Sequence, residues 1–72
     1  MAVYRLFQSE AFEPEAIVIM TRAYAEVCQT LGVGDSDQRE INRVAKTVIE
    51  FAQRGARDHA RLRDCVLRAL RN

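Results

Sequence analysis

D-Q-R-E-I-N-R-V-A-K-T-V-I-E-F-A-Q-R, residues 37–54, is the stretch whose reading decides the fold. Ile41, Val44, Ala45, Val48, Ile49, Phe51 and Ala52 recur by threes and fours, while Arg39, Arg43, Lys46, Glu50 and Arg54 fill the opposite side. At 3.6 residues per turn that spacing gathers the apolar groups into one stripe, so the segment is predicted to be an amphipathic helix, helix two. Asp37, with Glu40 three positions on, has the spacing of a capping box in which Asp replaces Ser or Thr. The pairs Lys46 with Glu50 and Glu50 with Arg54 sit at i,i+4, worth only about 0.3 kcal/mol each, and read as a solvated face.

Working outward, the segment before it carries a matching stripe. Helix one is expected over residues 14–31: Pro14 has the fixed φ suited to a first turn, and Glu13 and Glu15 stand at the positive end of the helix dipole. Phe12 is placed to staple it from outside. The stripe runs Ile17, Met20, Tyr24, Val27, Cys28, Leu31, and Gly32 supplies a left-handed stop. The loop G-V-G-D-S then folds helix two back along helix one. On the other side Gly55 ends helix two, and Asp58 is the natural N-cap of helix three, residues 58–71, with Leu62, Cys65, Val66, Ala69 and Leu70 facing the core and Leu67 pointing away from it. The expected fold is all-α: one domain over residues 1–72, an antiparallel helical hairpin with a third helix packed across it and an N-terminal arm at 1–12.

Seventy-two residues bury only roughly 60% of the surface exposed when unfolded, so a chain of this size usually has a supplement to its core. Cys28 and Cys65 fit no short metal or redox spacing and fall on apolar stripes, so they are expected to be buried free thiols, in a reducing compartment. That leaves oligomerisation. Val18 and Ile19 lie off the stripe of helix one, and a helix apolar on nearly every side is covered on every side. Two covers are available: the arm with Val3, Tyr4, Leu6 and Phe7, or a second copy of the chain. A homodimer is expected, with Val18, Ile19, Ala23, Phe7 and Phe12 as candidate interface residues. In the alternative, the arm folds back and closes the monomer.

The net charge is only +1, but it is unevenly spread. Residues 54–72 hold six arginines against two aspartates, a local +4, and residues 1–53 hold five cations against eight acids, a local −3. Such polarity favours electrostatic partners. Arg57, Arg61 and Arg68 recur along one side of helix three with Arg71 near its end, giving a candidate surface for an acidic protein or for phosphates. The helix, glycine turn and helix at residues 41–70 are similar in outline to the helix-turn-helix of bacterial regulators, which implies binding to DNA through helix three. Two details depart from that motif. Ala52 stands three positions before Gly55 where the motif has four, and helix three offers no Gln, Asn or Ser on its outer face to read base edges. The basic region also has no aromatic residue on which a single strand could stack.

No motif fixes a reaction. His59 has no second histidine, no glutamate at i+4 and no nearby cysteine, Ser9 and Ser36 sit in the arm and in a capping loop, and G-V-G-D lacks the third glycine and preceding strand of a phosphate cradle. No enzyme activity, metal or cofactor is therefore expected. The start M-A-V-Y-R-L-F-Q-S-E lacks the features of a secretory signal, and the apolar run Ala16 to Met20 is too short to span a bilayer. Helix three carries too small an apolar face for membrane binding. The sequence thus predicts a cytoplasmic, non-catalytic protein-interaction or regulatory module, with a small DNA-binding regulator as the alternative.

Overall fold

The structure, a computed structural model, describes residues 12–34 and 36–71. Three helices occur among the described residues: α1 at Pro14–Leu31, α2 at Gln38–Gln53 and α3 at His59–Arg71. Each packs against the other two, and no strand is present among the described residues, so the chain is an all-α three-helix domain. Residues 1–11 of the N-terminal arm, Phe7 among them, lie outside the described residues. No helix of the described residues is long and apolar enough to cross a membrane.

The ends of the helices follow from local chemistry. Pro14 opens α1, and the Ile17 N–H donates to the Glu13 carbonyl at 3.0 Å. The end of α1 is a Schellman motif: Gly32 takes φ 70°, Val33 N–H reaches back to the Cys28 carbonyl at 2.9 Å and Gly32 N–H to Gln29. The end of α2 repeats it. Gly55 at φ 103° bonds to the Ala52 carbonyl and Ala56 to that of Phe51. At both positions an L side chain would be strained by the backbone alone, because nothing lies within 4 Å of where a Cβ would stand.

Asp37 caps α2 as its spacing predicts, its Oδ1 accepting from Glu40 N–H at 3.3 Å. The return half of the box is replaced. The Asp37 N–H is already bonded to the Gly34 carbonyl at 3.1 Å, and the Glu40 carboxylate stands 3.9 Å from Arg43 instead. Asp58 serves α3 in the same way, accepting from Ala60 N–H at 3.1 Å, while its carbonyl takes the Leu62 N–H.

The core is built from Ile17, Met20, Ala23, Tyr24 and Val27 of α1, Val44, Ala45, Val48, Ile49 and Ala52 of α2, and Leu62 and Val66 of α3. No buried side-chain nitrogen or oxygen among the described residues lacks a hydrogen-bond partner. Four expectations are corrected here. Ala23 is completely buried inside the single chain, so its place is the core and not a surface shared with a second copy. Ile19 and Phe12 are half-buried against the same core, which leaves Val18 as the large apolar side chain of α1 that stands well exposed, at 63%. Leu31, expected to close the stripe of α1, lies at its exposed end. Both cysteines are only half-buried.

The largest difference concerns α3, which is rotated about its axis from the orientation its apolar residues suggest. Leu62 and Val66 are fully buried as expected, but Ala69 is exposed, and Leu67 packs against the core. The inward face is therefore His59, Leu62, Arg63, Val66, Leu67, Leu70, a run at i, i+3, i+4, i+7, i+8, i+11 that includes two basic residues. Both face an acid on α1.

Candidate functional site

Glu26 projects from α1, one position before the buried Val27, and is flanked by two residues of α3. His59 Nδ1 lies 3.2 Å from its Oε1, and Arg63 Nη1 lies 3.8 Å from its Oε2. The three side chains are each about a third exposed, so the carboxylate is clasped at the rim of the core rather than inside it. Arg63 also donates from Nε to Asp64 Oδ1 at 3.1 Å. His59 is thus one side of an interhelical clasp. Among the described residues no group of three or more His, Cys, Asp or Glu side chains comes together as a metal site.

The arginines then divide by what occupies them. Arg57, expected on the outer stripe, is turned back onto the turn: its Nη1 donates to the Ala52 carbonyl at 2.6 Å and to that of Ala56 at 3.0 Å, and the guanidinium lies 5.8 Å from the centroid of the Phe12 ring. It satisfies a carbonyl in the last turn of α2 and fastens the entry of α1 to that turn. Arg54 lies over the Phe51 ring at 5.2 Å rather than on Glu50. Of the arginines from residue 54 onward, Arg61, Arg68 and Arg71 remain. All three are exposed, and none has a carboxylate partner among the described residues, since Asp58 is engaged with the Ala60 amide and Asp64 with Arg63.

Two of them, Arg61 and Arg68, border a groove between α2 and α3. Two adjoining open depressions, of about 510 and 590 Å³, share Phe51, Arg61 and Cys65. The first continues along α3 over Ala69 to Arg68, and the second runs over Ala56 to Arg54 and Arg57. The rotation of α3 creates this feature: Cys65 and Ala69, which the sequence reading placed in the core, form the apolar floor of a basic-rimmed channel. Four arginines and two aspartates line it, so its charge is positive.

Of the residues singled out in the sequence, Arg61 and Arg68 come together at the groove and Arg71 lies a turn beyond it. Arg57 borders the groove's far end but is spent on the turn. Val18 stands apart on α1, exposed. Phe51, Cys65 and Ala69 were missed as site residues because they were assigned to the core. Glu26 was missed altogether, because its partners lie on another helix more than thirty residues away. Comparison with known protein families, with characterised proteins and with solved structures finds no match for this chain.

Proposed function

We propose that the chain is a small, non-catalytic protein-interaction module that works through the outer face of α3 and self-associates through the Val18 side of α1. The observation that carries this reading is the division of charge on α3. His59, Arg63 and Asp64 are consumed by internal contacts, while Arg61, Arg68 and Arg71 stand exposed without a described partner, the first two bordering an apolar strip and Arg71 a turn beyond it. Guanidinium groups in this setting suit carboxylates, to which they donate in a planar fork.

A protein partner is favoured over nucleic acid by two features. The strip between the arginines is apolar, which a phosphate backbone does not use. The single aromatic in it, Phe51, is half-buried and carries Arg54 against its ring, leaving that face unavailable for a stacking base. The self-association half of the reading is supported by the exposure of Val18, next to the half-buried Ile19.

The test is fluorescence anisotropy of a labelled random duplex and of a labelled single strand, titrated with the protein from low to physiological salt. The module reading predicts no saturable binding in this range. Binding that falls steeply with salt, and is lost in the R61Q/R68Q/R71Q variant, overturns it in favour of a nucleic-acid-binding regulator.

A further inference from the structure

We infer that the α2–α3 groove is the seat of an acidic amphipathic helix of a partner protein, with one apolar side chain resting between Arg61 and Arg68. This deepens, and rests on, the interaction-module reading. Three features of the groove define the occupant.

The first is charge. Arg61 and Arg68 rise from the same helix seven residues apart, about 10.5 Å along its axis at 1.5 Å per residue. A helix laid along α3 presents carboxylates at that interval when acids recur at i and i+7, two turns apart. The two aspartates of the groove offset only part of its four arginines, and Asp64 is already paired with Arg63, so the lining stays positive.

The second is the floor. Phe51, Cys65 and Ala69 line the groove with the two arginines and carry no charge, and Asp64, the one acid of this stretch, is paired with Arg63. Ala69 is exposed although it is apolar and sits beside the core, because α3 turns its other side inward. An occupant with acids alone leaves this strip wet. One with a leucine-sized group midway between its acids covers it, which is the anchor-in-groove mode of helix recognition.

The third is the length of the rim. Beyond Arg61 the groove continues past Ala56 to Arg54 and Arg57, so basic side chains border it at both ends. A point ligand such as a single phosphate needs only one of these positions. An extended acidic helix meets Arg61 and Arg68 directly, while Arg57, held by the Ala52 and Ala56 carbonyls, and Arg54, over the Phe51 ring, add positive potential at the far end.

The probe is a fluorescein-labelled synthetic helical peptide of about two heptads, with glutamates at i and i+7 and a leucine midway, titrated against the whole protein at physiological salt. Saturable binding is expected, with amide shifts in ¹H–¹⁵N spectra concentrated at Phe51, Cys65 and Ala69. Replacing the leucine by serine is expected to weaken binding about tenfold, near 1.4 kcal/mol. The R61E/R68E variant is expected to abolish binding with an unchanged circular dichroism spectrum, and Ala69→Asp provides a second, independent block. Arg22→Glu, on the exposed side of α1, is expected to leave binding unchanged.

Equal binding of the leucine and serine peptides, or amide shifts spread along α1, overturns the groove. Absence of binding overturns it too, and the module reading survives that result if the duplex titration is also flat. Displacement of the peptide by duplex DNA, with steep salt dependence, instead defeats the module reading itself.

Discussion

The two faces of α3 hold similar numbers of basic residues and use them in opposite ways. On the inward face His59 and Arg63 converge on Glu26 of α1, and their positions are fixed by what lies across from them. On the outward face Arg61, Arg68 and Arg71 meet no described acid, and the apolar groups between them, Cys65 and Ala69, are left partly or wholly in solvent. The lesson is that the density of arginine in a sequence says little about function. What the fold itself separates is the cations to which it has given a partner from those it leaves exposed.

The sharpest way to break this comparison is to attack the inward face at its centre. Leu62→Ala removes a side chain with no solvent exposure from between α1 and α2. A loss of about 3 kcal/mol is expected, against a total on the order of 4–11 kcal/mol for a domain of this length. Thermal unfolding followed by circular dichroism checks it. A loss below about 1 kcal/mol would mean that α3 is loosely attached.

A smaller effect sharpens the role of the clasp. Glu26→Gln keeps the shape of the side chain and removes its charge, and a loss of under about 1 kcal/mol is expected because all three partners are about a third exposed and screened by water. Urea unfolding at low and high salt separates the two contributions: the difference between parent and variant should shrink as salt rises. A difference independent of salt would assign the loss to packing rather than to charge.

The helix boundaries were legible in the sequence because each is written by a residue with a particular backbone or side-chain property. Pro14, Gly32, Asp37, Gly55 and Asp58 all perform the tasks their chemistry implies. The inward face of α2 was equally legible, since its polar and apolar residues separate cleanly. The orientation of α3 was not. Its apolar residues at 62, 65, 66, 67, 69 and 70 support two overlapping stripes, and hydrophobicity alone prefers the one with Cys65 and Ala69 over the one with His59 and Arg63. The observed stripe packs Leu67 and Leu70 against the core, and Glu26, more than thirty residues away, gives its histidine and arginine a partner at the rim. A tertiary partner of this kind leaves no mark in local periodicity. The same limit applies to α1, where Ile19 looked free and is half-buried against the core.

That correction changes how self-association is tested. Ile19→Glu would place a charge against the core and unfold a monomer as readily as it separates a dimer. Val18→Glu is the cleaner probe, because Val18 is 63% exposed in the single chain. Its expected cost to monomer folding is within about 0.5 kcal/mol, while light scattering should show the molar mass falling from that of a dimer to that of one chain. Parent and variant of equal mass would remove the Val18 side of α1 as an interface.

The smallest expected effect per side chain is the most informative. The account's central claim is that Arg61, Arg68 and Arg71 hold nothing in the fold together and are free for a partner. Equilibrium urea unfolding of the R61Q/R68Q/R71Q variant beside the parent tests it directly. Nearly coincident transitions, within about 1 kcal/mol, are predicted, since the only fold interaction lost is that of Arg68 and Arg71 with the carboxy-terminal end of the α3 dipole. A loss of about 2 kcal/mol or more would show that these arginines belong to the internal framework, and would contradict the division of α3 into a structural face and a working one.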